Sequence, residues 1–206
     1  MITPADTPRT AGRKRDPLIE SRAASAAIEV YALSGWQGFT FEAVARASGI
    51  GKPAIYRRWA SREALLIDAF DSLALPVARD LGSLEADIAD YIAQWVEWYR
   101  CPLRPEAGAR ILIDGGSHPE LKRLYDEVVT APRGTRVRDV TRRAIARGEI
   151  SEGTPPTSIP DIILGAFFIH WAYSQHLDPS EFQATLGEYG ERLLSTVLTA
   201  FSRPLD

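Results

Sequence analysis

The sequence is poor in the patterns that build catalytic, membrane or disulfide chemistry. It holds one cysteine, Cys101, so an internal disulfide is excluded. Cys101 precedes Pro102 and has no histidine near it in sequence. The three histidines are His118, His170 and His176. His170 and His176 stand six residues apart and do not share a helical face for a metal. Asp114 and His118 are four apart, but Gly115-Gly116 is expected to interrupt the helix between them. There is no phosphate-cradling glycine loop and no dinucleotide fingerprint. Catalytic residues, metals and cofactors are therefore not expected, and an enzyme stays only as an alternative reading. No apolar run approaches the roughly 18 residues that span a bilayer. The opening MITPADTPRTAGRKRDP has no signal-peptide core. A cytoplasmic protein without a membrane partner is the expectation. Period-two alternation is almost absent, which argues against a sheet.

What is present is an ordinary globular composition, 45% hydrophobic and 25% charged over 206 residues. The net charge of -3 hides an asymmetry. Residues 1–60 carry nine Lys/Arg against five Asp/Glu, whereas the other 146 carry fifteen against twenty-two. A basic head on an acidic body suggests that only the head meets a polyanion. Periods of three and four predict an all-α protein of about nine helices. Residues 1–15 read as a flexible basic arm, 16–77 as a small basic helical head and 78–206 as a larger C-terminal helical domain. Helix starts are expected at Asp16-Pro17, Thr40, Lys52, Ser61 (SREALLIDAF, reaching the mid-seventies) and Ser83. A further helix is expected over 105–114, stopping at Gly115-Gly116. A long one follows over 119–147, kinked at Pro132. The last two are expected over 161–177 and 180–201, the final one opened by a capping box at Asp178-Pro179-Ser180-Glu181.

Most of the information sits in FTFEAVARASGIGKPAIYRRW, residues 39–59. Thr40 stands where an N-cap belongs, and Phe41, Val44 and Ala45 give the next helix an apolar face. Gly49 permits a left-handed turn. Pro53 falls in the first turn of the following helix, expected over Lys52 to Trp59. Two short helices joined by a glycine turn make a helix-turn-helix whose second member enters the major groove. That member carries Lys52, Pro53, Ala54, Tyr56, Arg57 and Arg58. The cations suit phosphates and guanine edges, and the tyrosine hydroxyl suits phosphate. Arg46 is a further candidate backbone contact, and Thr40 adds a hydroxyl at a helix N-terminus. A merely solvated basic helix face is the alternative.

These residues resemble the N-terminal signature of TetR-family transcriptional repressors. The shared positions are Gly35 after the first helix, Thr40 opening the second, Val44-Ala45, Gly49-Ile50, Tyr56 with Trp59 three residues on, and Ser61-Arg62-Glu63 with Leu65. The likeness spans roughly residues 17–77. It departs at Gly51, where a serine or threonine is usual, and at Ala23-Ala24, where Ile-Leu is usual. The resemblance implies a homodimer that binds a double-stranded, pseudo-palindromic DNA operator and is released by a small apolar or aromatic effector.

Two features of the C-terminal half bear on those roles. DIILGAFFIHWAYSQHL (161–177) is apolar on nearly all sides, so it is either buried within one chain or shared between two. With the helix at 180–201 it is the candidate dimer contact, and Gly165, Gly187 and Gly190 would permit close approach. Trp95, Trp98, Tyr99, Phe167, Phe168, His170 and Trp171 are candidates for an effector pocket; plain core is the alternative. A helical adaptor that binds protein rather than DNA is the reading from a different class.

Overall fold

The structure is a computed structural model that describes residues 17–126 and 138–201. The basic arm, the Asp16 cap and the Pro132 kink lie outside the described residues. Among the described residues there are ten α-helices, one 3-10 turn and no strand. The helices are α1 (Pro17–Gly38), α2 (Phe41–Ser48), α3 (Lys52–Tyr56), α4 (Arg62–Asp71), α5 (Leu84–Tyr99), α6 (Leu103–Ser117), α7 (Lys122–Tyr125), α8 (Asp139–Ala146), α9 (Ser158–Tyr173) and α10 (Pro179–Phe201). No helix among them is long and apolar enough to cross a membrane.

Local chemistry sets the helix starts. Thr40, Ser61 and Ser83 each accept a hydrogen bond from the backbone N–H three residues on, at 3.1, 3.2 and 3.2 Å. Such caps contribute about 1 kcal/mol each. Asp178 accepts from the Ser180 N–H at 2.8 Å while Glu181 accepts from the Asp178 N–H, which is the expected capping box. Gly35 sits at φ 61°, so α1 bends there and makes one further turn to Gly38.

Several boundaries differ from expectation, each for a local reason. α4 stops at Asp71, where the Ser72 hydroxyl bonds back to the Ala69 carbonyl at 2.6 Å. α6 runs through Gly115-Gly116 to Ser117. Gly115 is there for contact rather than termination, since a Cβ would lie 2.6 Å from that of Tyr125. The break comes at His118, held extended by the following proline. The expected helix over 119–147 is therefore divided into a 3-10 turn (Pro119–Leu121), α7 and α8. α9 runs over 158–173 rather than 161–177, ending where the Ser174 N–H reaches both the His170 and Trp171 carbonyls.

Two hydrophobic cores result. One gathers Ala23, Ala27, Tyr31, Phe39, Val44, Ile55, Leu66 and Phe70 from α1 to α4, closed by Ala107 and Ile111 of α6 with Leu121 and Leu124. The other gathers Leu84, Ile88, Tyr91 and Trp98 of α5 with Ile163 and Phe167 of α9 and Leu186 and Val197 of α10. α6 joins them. Its Asp114 accepts from the Tyr31 hydroxyl at 3.0 Å and the Trp36 amide at 3.1 Å. Arg110 donates to the Ala32 carbonyl. The Trp36 indole N–H donates to Glu120 at 2.9 Å. Arg62 lies 3.7 Å over the Trp36 ring and donates to the carbonyls of Trp36 and Phe39.

Candidate nucleic-acid interface

α2 and α3 meet through a turn with more support than the glycine alone. Gly49 takes φ 65° at the C-terminus of α2. Ser48, buried, donates to the Val44 carbonyl at 2.7 Å and accepts from the Ile50 N–H at 3.3 Å. Arg22 of α1 reaches across to the Ser48 carbonyl at 2.6 Å. Ile50 and Ile55 pack into the head core. Neither Ser48 nor Arg22 stands out in the sequence. Ser48 precedes a turn glycine, which is a common place for a polar residue, and Arg22 acts over a separation of 26 residues.

The expected contact residues are spread as follows. Lys52, Pro53, Tyr56 and Arg57 are exposed on one side of α3, and Ala54 is half-buried behind them. Arg46 is exposed on the last turn of α2, and Thr40 is half-buried at its start. α3 ends at Tyr56, three residues before the expected Trp59. Gly51 at its start offers no capping side chain, and the chain tightens after Tyr56. Arg57 therefore lies at the helix C-terminus and Arg58 beyond it. Arg58 turns back, half-buried, and donates to the Ala54 carbonyl at 3.2 Å. With Trp59, Glu20, Asp68 and Asp71 it lines a cleft of about 400 Å³ between α1 and α4. The structure thus groups Lys52, Tyr56 and Arg57 and sets Arg58 apart from them.

Glu42, on the first turn of α2, joins this group without having been expected there. Its carboxylate accepts from the Tyr56 hydroxyl at 3.0 Å and lies 3.7 Å from the Lys52 ammonium. A bond to its own backbone N–H and then the Tyr56 hydroxyl hold its pKa below the usual carboxylate value, and the same bond raises that of Tyr56. Phe41 meets the Tyr56 ring edge-on at 4.8 Å. An acid in a first helical turn ordinarily reads as a complement to the helix dipole, which is why the sequence does not disclose this contact.

In the body, Trp95, Trp98, Tyr99 and Phe167 form one aromatic cluster with ring centroids 5.2–6.5 Å apart. Tyr189, absent from the expected set, links Phe167 to His170, whose ring stacks on it at 3.8 Å. Phe168 and Trp171 pair with each other instead. Burial raises the pKa of Tyr91 to about 12, raises Tyr99 further, and lowers that of His170. Trp95 eases the rise at Tyr91 without making a hydrogen bond of normal geometry. Tyr91 Oη, the indole nitrogens of Trp95 and Trp98, and His170 Nε2 are buried with no partner among the described residues. No group of three or more His, Cys, Asp or Glu among those residues is arranged to hold a metal.

Residues 24–69 match the family model described as bacterial regulatory proteins of the tetR family. Residues 78–188 match the tetracyclin repressor-like C-terminal domain. The chain is 27% identical over 161 residues to the HTH-type transcriptional regulator YdeS of Bacillus subtilis (strain 168), covering 76% of this chain and 80% of that one. Its fold is similar to that of the fatty acid degradation regulator FadR from Bacillus halodurans (TM-score 0.69, 15% identity, 88% of this chain and 97% of that one). It is also similar to a TetR transcriptional regulator from Chloroflexus aurantiacus J-10-fl (TM-score 0.67, 20% identity, 88% and 94%).

Proposed function

Since the chain belongs to the TetR family of transcriptional regulators, we propose that it is a repressor whose homodimer holds a pseudo-palindromic operator and releases it when a small apolar or aromatic effector enters the body. Two copies of α3 enter successive major grooves. Lys52, Tyr56 and Arg57 contact DNA from α3, with Pro53 and Ala54 against the groove. Thr40 and Arg46 hold phosphates on either side. Arg58 joins them only by leaving the Ala54 carbonyl. The observation that carries this reading is the exposed Lys52–Tyr56–Arg57 face on a helix whose opposite side, Ile55, is fully buried.

Pairing through α9 and α10 is supported by how α9 divides its apolar residues. Ile159, Ile163, Phe167 and Trp171 face the chain's own core, whereas Ile162, Ile169 and Tyr173 on the other side are 41%, 50% and 77% exposed. Gly165 and Gly187 face open space, while Gly190 is taken up internally against Val96 and Ile92. A second copy of the same two helices covers that stripe and gives two half-sites a two-fold relation. The effector reading is supported by the aromatic cluster and its unpartnered polar atoms, since a buried donor without an acceptor costs about 1–3 kcal/mol. A ligand that supplies acceptors recovers that cost. The joint from Asp114 to Tyr31 and Trp36 couples the body to the head.

The test is DNA retardation with a solution-mass measurement. The wild type should behave as two chains and bind an operator selected from randomised duplexes. Raising salt from 50 to 200 mM should weaken binding by a factor on the order of 10³ or more. Tyr56→Ala with Arg57→Ala should abolish binding while leaving the dimer folded. Retained operator affinity in that variant would sink the assignment.

A further inference from the structure

We propose that Glu42 is an internal stand-in for DNA phosphate, occupying the donors of the reading helix so that every duplex must displace it. The inference rests on the DNA-binding reading of α3 and adds a role for a residue outside that reading. Three observations meet at one point. The Tyr56 hydroxyl donates to the Glu42 carboxylate at 3.0 Å, the Lys52 ammonium stands 3.7 Å from the same oxygen, and Phe41 packs edge-on against the Tyr56 ring. A carboxylate and a phosphate offer the same thing to these groups, an anionic oxygen acceptor.

The two anions differ in where they go once exchanged. A phosphate arrives with DNA, whereas Glu42 remains on α2 after it is displaced. Its charge is then left beside the incoming backbone, two residues from Thr40 at the helix N-terminus. Binding must therefore overcome both the lost Tyr56 and Lys52 contacts and a like-charge approach. Because phosphates carry no sequence information, the cost falls equally on operator and random DNA. Glu42 accordingly sets how tightly the head binds any duplex without altering which sequence it prefers. It also takes Lys52 partly out of the count of cations that release counterions.

The experiment is Glu42→Gln in the full-length dimer, which keeps the shape of the side chain and removes its charge. Fluorescence anisotropy is read with a random-sequence 30-bp duplex and with the selected operator, each across a salt series. Both duplexes should bind roughly ten-fold tighter at 0.1 M salt, and the slope of log affinity against log salt should steepen by about one to two for the dimer. Adding Glu42→Gln to a Lys52→Ala, Tyr56→Phe background should bring only the smaller part of that gain that comes from relieving the like-charge approach, with no change in the salt slope from Lys52. Unchanged affinity and slope would overturn the inference. So would tightening that persists undiminished in the Lys52, Tyr56 background, which would leave charge repulsion as the whole effect and make Glu42 no stand-in for phosphate. Weaker operator binding would do the same, by making Glu42 a base reader that accepts from a cytosine amino group. Failure of the wild type to bind either duplex at low salt would instead remove the DNA-binding reading itself.

Discussion

The head and the body treat their buried aromatic polar groups in opposite ways. In the head core, the Tyr31 hydroxyl is bonded to Asp114, the Trp36 indole to Glu120 and the Trp59 indole to Asp68, the last at 2.7 Å. In the body core, Tyr91, Trp95 and Trp98 have comparable burial or nearly so, and none of their polar atoms finds a partner among the described residues. The difference separates two uses of the same residue types. A satisfied network fixes one shape, which suits a surface that must match a groove. An unsatisfied one keeps a desolvation cost, which is what the proposed effector site would recover.

The largest effect should come from breaking the joint between the two regions. Asp114→Ala leaves the Tyr31 hydroxyl and the Trp36 amide without their shared acceptor. Each lost bond to a charged partner is worth about 1.5–3 kcal/mol, so a loss on the order of 3–5 kcal/mol is expected. Thermal denaturation should register it as a drop of roughly 2–4 °C per kcal/mol. A drop of only a degree or two would show that the joint is dispensable.

A matched pair of substitutions sharpens the contrast. Tyr31→Phe strips Asp114 of a donor and should cost about 1–3 kcal/mol. Tyr91→Phe removes a hydroxyl that has no partner and should be neutral or mildly stabilising. Equal losses at the two sites, measured by urea denaturation, would erase the distinction between head and body.

A smaller effect should appear only with pH. Desolvation first, and Arg192 second, hold His170 below the ordinary histidine value of 6.5. The folded chain therefore resists a proton that the unfolded chain accepts. Stability from this group is complete above about pH 6.5 and is lost as the pH falls. His170→Gln should flatten the decline of Tm between pH 7 and pH 5, and an unchanged slope would place the acid sensitivity elsewhere.

The smallest effect is expected in the head. Gly51→Ser supplies the capping hydroxyl that α3 lacks, and replacing a glycine cap by serine gains only a few tenths of a kcal/mol. Calorimetry should find a rise of about 1 °C. A fall would show that the Gly51 backbone is needed without a side chain.

The sequence discloses these regions unequally. Thr40, Ser61, Ser83 and the box at Asp178 announce helix starts because their chemistry is local, completed within three residues. Gly49 announces the turn for the same reason. Gly115 misleads because a glycine that ends a helix and one that admits a neighbouring ring are identical in one dimension. What distinguishes them is Tyr125, which comes into contact only after the chain reverses at Pro119. The Tyr31–Asp114 and Arg22–Ser48 bonds join residues 83 and 26 positions apart, so no spacing rule reaches them. For the candidate site the residue types on α3 are legible, whereas the inward turn of Arg58 and the hold of Glu42 on Tyr56 depend on where a five-residue helix happens to stop.

α6 bears on how such proteins exchange parts. Its Ala107 and Ile111 complete the head core, and its Asp114 and Arg110 hold the last turns of α1. A chimera cut near residue 77, joining this head to the body of a relative, would carry Tyr31 and Trp36 away from the helix that receives them. The unit that can be transplanted intact is therefore discontinuous in the chain. It consists of α1 to α4 together with the inner face of α6 and the turn at Glu120. A new body can take on this head only if it also reproduces that face.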